Sequence, residues 1–371
     1  MFRNLAALVT RSYRKILAVI HGERDNTPLY VYVTNQGSNN ISQYVVAAQG
    51  SLIPLAAATI ATGTTPVFIA VSPSGKHAYV ANQGGNSISQ YRISANGSLE
   101  AIAAPVAAGT SPVKIAIDPS GRYAYVANSS SNDVSQYSIG ENGTLSAMSP
   151  ATIETGMIPV AIAVDASGKY VYVVNNSGND ISQYAITENG KLTALSPATV
   201  AAGAGPRAIA IDPAGKYVYV ANRTSATVSQ YAINRDGSLG GTPSTVVTGK
   251  HPIAISISPF GKHAYVANQN GNSVSQYSVA ENGSLIPMNP ATVESLVTPV
   301  SIAVSDCGKY AYVSNISSNN ISQYAIDEQG GFNAIPVNKW GDSAVDAEIS
   351  PRCVMIIGVG RYCQHGQPLV R

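Results

Sequence analysis

Apolar and polar positions follow one another along this chain in an order that repeats, and residues 66–109 show one unit. Pro66-Val-Phe-Ile-Ala-Val-Ser-Pro73 is a continuous apolar run with the length of a fully buried strand. Pro73-Ser-Gly-Lys76 then supplies a tight turn, because proline presets φ and glycine accepts φ > 0. His77-Ala-Tyr-Val-Ala-Asn82 alternates large and small side chains, which predicts a second strand with two unlike faces. A short polar loop leads to a third strand, Ile88-Ser-Gln-Tyr-Arg-Ile93. Asn96-Gly97 is a type I′ hairpin signal, and Leu99 to Val106 reads as a fourth, more ragged strand.

The unit is copied along the chain. Ser-Gln-Tyr ends at Tyr44, Tyr91, Tyr137, Tyr184, Tyr231, Tyr277 and Tyr324, at intervals of 46 or 47 residues. The hairpin dipeptide recurs as Asn142-Gly143, Asn189-Gly190, Asp236-Gly237 and Asn282-Gly283. A unit of this size cannot bury its apolar face alone and must stack on its neighbours. Four antiparallel strands in each of seven units predict an all-β, seven-bladed β-propeller. Leucine-rich solenoids have a shorter period, helical repeats have a 3.6-residue beat, and the WD and kelch signatures are absent.

The phase of the repeats predicts how the ring closes. The chain enters at a second strand, Leu29 to Asn35, with no apolar first strand ahead of it. First strands begin at Pro66, Pro112, Pro159, Pro206, Pro252 and Pro299, and a degraded copy follows at Ala344-Val-Asp-Ala-Glu-Ile-Ser-Pro351. That copy is expected to complete the N-terminal blade and remove an exposed sheet edge. The expected organisation is a basic segment over 1–28, the propeller over 29–351 and a tail over 352–371.

Composition narrows the function classes. No apolar stretch approaches the ~18–20 residues needed to span a bilayer. The net charge is +2, with the excess in the first 27 residues, so the repeat body is close to neutral and shows no basic stripe for nucleic acid. Within residues 1–21, Phe2, Leu5, Val9, Tyr13, Ile16 and Ile20 make one apolar helical face, suited to packing on the propeller or to lying on a membrane surface. That segment lacks a signal-peptide layout. The composition suits a periplasmic or surface protein, and a monomer is expected. Cys307 occupies a turn position that is Ser, Ala or Phe in other units, and Cys353 and Cys363 could pair in an oxidising compartment but match no zinc pattern. No metal or cofactor motif is present, and none is expected.

Candidate chemistry lies where the repeat is broken, since shared residues are explained by packing. Two positions after the first-strand proline stand Phe68, Lys114, Ala161, Ala208, Ala254 and Ser301, with Asp346 in the degraded copy. The preceding position is Val or Ile except at Arg207. Lys114, Arg207, Asp346 and Glu348 are therefore the outliers. They could converge on one channel mouth as a ligand pocket, or pair as salt bridges lining a wet channel. His77 and His263 fill a slot that holds Tyr123, Tyr170, Tyr217 and Tyr310 elsewhere, which points to packing. His251, in the loop before Pro252, is a candidate ligand contact.

The Tyr-Val-x-Asn second strands, Pro-Ser-Gly-Lys turns and Gly-Ser-Leu fourth strands resemble the YVTN propellers and the seven-bladed lactonase family that includes 6-phosphogluconolactonases. The resemblance spans roughly residues 29–351 and implies hydrolysis of a sugar lactone, which needs a base and cationic groups for the oxyanion. The family segment Gly-Pro-Arg-His reads Gly205-Pro206-Arg207-Ala208 here, so the arginine is kept and the histidine lost. Ser256 stands where another family histidine would be, and no histidine precedes Pro159-Val-Ala-Ile162. Two functions follow as expectations. One is a non-catalytic scaffold that binds a protein or glycan at one propeller face. The other is a lactone hydrolase with Arg207 and Lys114 as anion-binding groups and Glu348 or Asp346 as base. A true lactonase would be expected in the cytoplasm.

Overall fold

A computed structural model of the chain describes residues 29–335, apart from 241, 242, 306 and 319, together with the backbone of 357–360. The described strands form seven four-stranded antiparallel sheets, the blades of a β-propeller. Blades are numbered here in chain order from the sheet that contains Tyr30–Asn35. The inner strands of blades 2 to 7 are Pro66–Val71, Pro112–Ile117, Pro159–Val164, Pro206–Ile211, Pro252–Ile257 and Pro299–Val304.

The core lies between blades. Second strands such as His77–Asn82 and Tyr123–Asn128 are buried on both faces, because each sheet is sandwiched by its neighbours. One layer joins Tyr79, Ala81 and Ile88 of blade 2 to Ile115, Ala124, Val126 and Tyr137 of blade 3. The outer strands, such as Leu145–Glu154, are mostly exposed, with a buried first residue and a few half-buried positions.

The repeated polar residues stitch these layers. The buried tyrosine of each second strand donates its hydroxyl to a turn glycine carbonyl of the next blade: Tyr32 to Gly97 at 2.6 Å, Tyr79 to Gly143 at 2.7 Å, Tyr125 to Gly190 at 2.7 Å. The Ser-Gln-Tyr glutamine also reaches forward. Gln90 Oε1 accepts from Leu145 N at 2.7 Å, and Gln136 Oε1 from Leu192 N at 2.7 Å. Its tyrosine reaches back, as Tyr137 does to Ala107 O at 2.6 Å. The serine stays home, accepting from the second-strand asparagine of its own blade, as in Asn128 to Ser135 at 2.8 Å. Each such group would be costly to bury unpaired, so the motif repeats for packing and carries no chemistry.

The turn glycines answer to the same interface. A Cβ at Gly143, which has φ 84°, would run into the His77 ring, and one at Gly190, φ 81°, into Tyr123. His77 and His263 therefore do the tyrosine's packing in their slots, as expected.

The ring closes through blade 1. Tyr312 of blade 7 donates to Gly50 O at 2.9 Å, and Gln323 accepts from Leu52 N at 3.2 Å. The inner strand of blade 1 is supplied by the C-terminal part of the chain, as expected, but the residues differ. Ile357–Gly360 pairs antiparallel with Tyr30–Val33. The degraded copy Ala344 to Pro351 lies outside the described residues. Ile357 faces Val33 in register, the relation that Ile69 has to Val80 and Ile115 to Val126. The backbone of Ile357–Gly360 thus occupies a slot flanked by the inner strands of blades 2 and 7.

Candidate functional site at the channel mouth

Each inner strand starts at its proline on one face of the ring, called here the entry face. The loops that cross from one outer strand to the next inner strand lie on this face. So do the loops between second and third strands, and the two sets are tied together. Arg223 N donates to Gly205 O at 2.8 Å, and Gln269 N to His251 O at 2.9 Å.

Lys114 is the third residue of the blade 3 inner strand and Arg207 the second residue of the blade 5 inner strand. Both therefore sit near the entry end of their inner strands, on blades 3 and 5. The Lys114 ammonium stands 3.9 Å from the centre of the Phe68 ring, which occupies the same strand position in blade 2. Burial, and secondarily the charge of Arg207, push its pKa down to about 7. By surface area Lys114 is half-buried.

Arg207 is exposed by surface area, yet the ring's atoms hem it in. Its pKa is lowered by burial first and by Arg223 second. A guanidinium starts so high that it remains a cation. Arg223 extends the cluster and is held by its Nη2 donating to Gln269 Oε1 at 3.3 Å. Three cations thus influence one another from blades 3 and 5. Among the described residues the one ion pair is Arg92 with Glu100, on an outer strand, so no described carboxylate pairs with Lys114, Arg207 or Arg223.

His251 lies on the same face, in the left-handed region at φ 54°, with its Nδ1 buried and lacking a hydrogen-bond partner among the described residues. Asp346 and Glu348, the expected bases, lie outside the described residues. Arg223 was not among the sequence candidates. Its loop slot reads Gln83, Ser129, Asn176, Arg223, Gln269 and Ile316 across the blades, and in such variable company one cation does not stand out.

What this cluster can do is hold an anion. Each cation raises the cost of charging the next, and a bound phosphate or carboxylate relieves that repulsion while accepting the fork of an arginine.

Comparison with known proteins agrees with the architecture. Two structures cover 90% of this chain with a TM-score of 0.75: provisionally assigned 6-phosphogluconolactonases from Bacteroides fragilis NCTC 9343, at 21% identity over 99% of its chain, and from Bacteroides uniformis ATCC 8492, at 22% identity over 100%. The periplasmic gluconolactonase of Pseudomonas aeruginosa is 21% identical with a TM-score of 0.72, covering 83% of this chain and 94% of its own. These identities show likeness of fold. No curated protein sequence matches the chain. The family model described as "Lactonase, 7-bladed beta-propeller" matches residues 30–157, 143–252 and 238–334. Matched from its first described blade to its last, the chain belongs to the seven-bladed β-propeller lactonase family.

Proposed function

We propose that this propeller is a non-catalytic binding scaffold whose entry-face mouth receives a small anionic ligand. Lys114 and Arg207 hold it, with Arg223 beside them. The observation that supports this reading is the electrostatic influence of Arg207 on Lys114 and of Arg223 on Arg207, with no described carboxylate paired to any of the three. Ala208 and Ser256, standing where the family pattern has histidines, favour binding over turnover. The test is calorimetric titration with inorganic phosphate alongside an assay on a panel of sugar lactones. Expected are phosphate binding that weakens about tenfold or more in Arg207→Ala, the loss of one charge-assisted contact, and no lactone turnover above the spontaneous rate. Turnover that disappears in Arg207→Ala would replace this reading with hydrolysis.

Lactone hydrolysis is the second reading, and one observation favours it beyond family membership. A lysine with a pKa of about 7 can take a proton from water near neutrality. The neighbours' names suggest a sugar lactone as the substrate class for the panel. Asp346 and Glu348 stay base candidates on sequence grounds.

A further inference from the structure

The crossover loop into blade 4 breaks the pattern of its sisters. The two residues ahead of the inner-strand proline are Thr64-Thr65, Thr110-Ser111, Met157-Ile158, Ala204-Gly205, Lys250-His251 and Val297-Thr298. Met157 and Ile158 put two large apolar side chains into solvent, 62% and 42% exposed. Ile158 does so at φ 54°, the left-handed conformation that Thr65, Ser111, Gly205, His251 and Thr298 share at this loop position, so it is the side chain that differs and not the backbone. The loop is nonetheless held firmly. Asn176 N donates to Ile158 O at 2.9 Å, Ser177 N to Met157 O at 3.2 Å, and Ile158 N to Asn132 Oδ1 at 2.7 Å. Folding gains little from two solvent-facing apolar side chains, so packing within the ring does not account for them.

Their place in the ring does. Blade 4 lies between blades 3 and 5, whose inner strands carry Lys114 and Arg207. Met157 and Ile158 therefore lie on the entry face, in the loop of the blade between those that carry the two cations. A hydrophilic sugar phosphate would leave these two side chains wet.

We infer that the ligand of this mouth is a small organic anion with an apolar body. Its charged group meets Lys114 and Arg207, and its aromatic or branched aliphatic part packs on Met157 and Ile158. This rests on the anion-binding reading above and names the ligand class of that site.

Calorimetry with phenyl phosphate against inorganic phosphate tests it, on the whole chain. Phenyl phosphate is expected to bind about tenfold tighter, the increment for covering a modest apolar area. In the double variant Met157→Thr/Ile158→Thr, which adopts the Thr64-Thr65 arrangement of a sister loop, that ratio is expected to fall close to one. Val297→Thr removes an exposed apolar side chain from the loop into blade 7 and is expected to leave the ratio at its original value. Equal affinities for the two probes, a preference that survives the double variant, or an equal loss in Val297→Thr would each overturn the inference while leaving the anion site intact. Binding of neither probe would overturn the anion site and the inference together.

Discussion

The Lys114 ammonium rests over the face of the Phe68 ring, 3.9 Å from its centre and one blade away. The ring's negative face compensates part of the hydration that Lys114 loses in the channel wall, and the residue is left on the border of ionisation. That border position makes the mouth sensitive to pH.

Anion affinity is expected to fall as pH rises through the Lys114 pKa of about 7, because the charged form holds the anion and the neutral form does not. Sulfate is the suitable probe, since its own charge is constant over this window. Lys114→Arg should flatten the profile. Phe68→Leu removes the ring's attraction, worth about 0.5–1 kcal/mol, and should shift the midpoint downward by about half a pH unit. A profile that stays level in the parent chain would remove Lys114 from the site.

Two buried acceptors can be satisfied by substitution. In blades 2, 4 and 6 the second-strand asparagine Oδ1 accepts from a crossover-loop hydroxyl: Thr62 to Asn82 at 3.2 Å, Thr155 to Asn175 at 3.1 Å, Thr248 to Asn268 at 3.0 Å. Blades 3 and 5 carry Ala108 and Ala202 in that slot, and Asn128 Oδ1 and Asn222 Oδ1 are buried with no partner among the described residues. Ala108→Thr and Ala202→Thr should each stabilise the protein by about 1 kcal/mol, read as a rise in the thermal midpoint of about 2 °C. An unchanged or lower midpoint would mean that these oxygens already have water partners.

Acid should loosen two blade interfaces. Burial is the main force lowering the pKa of His77 and of His263, with Lys76 and Lys262 adding to it. The folded state then binds fewer protons than the unfolded chain. The stability from these histidines is thus full above about pH 6.5 and is lost as pH falls through their folded values. His77→Tyr with His263→Tyr restores the sister residue and should narrow the gap between midpoints measured at pH 7.5 and pH 5. A gap of the same width would place the acid sensitivity elsewhere.

Removing the closing strand should open the ring. A chain ending at Arg352 keeps the Ala344 to Pro351 segment but lacks Ile357–Gly360, so Tyr30–Val33 becomes an unpaired edge. Expected are a lower thermal midpoint and association detectable by size-exclusion chromatography. A stable monomer would assign the closing role to the earlier segment.

The blade count, the turns and the structural character of His77 and His263 were legible in the sequence, because they depend on local spacing. Pairings between blades were not. Gln90 finds Leu145 across 55 residues, and nothing near Gln90 announces that partner. The closing strand escaped for another reason. Ala344 to Pro351 imitates the first-strand pattern and ends in Ser-Pro, whereas Ile357–Gly360 has neither proline nor turn. Lys114 and Arg207 were visible as breaks in an apolar slot, while Arg223 was hidden in a slot that tolerates anything.

The pairing of Tyr30 with Gly360 has a practical meaning for how the molecule can be held. Both residues stand side by side at the end of blade 1 away from the entry face. A linkage made close to either of these two residues would leave the ring on the far side. The cationic mouth would then face outward, open to whatever diffuses toward it.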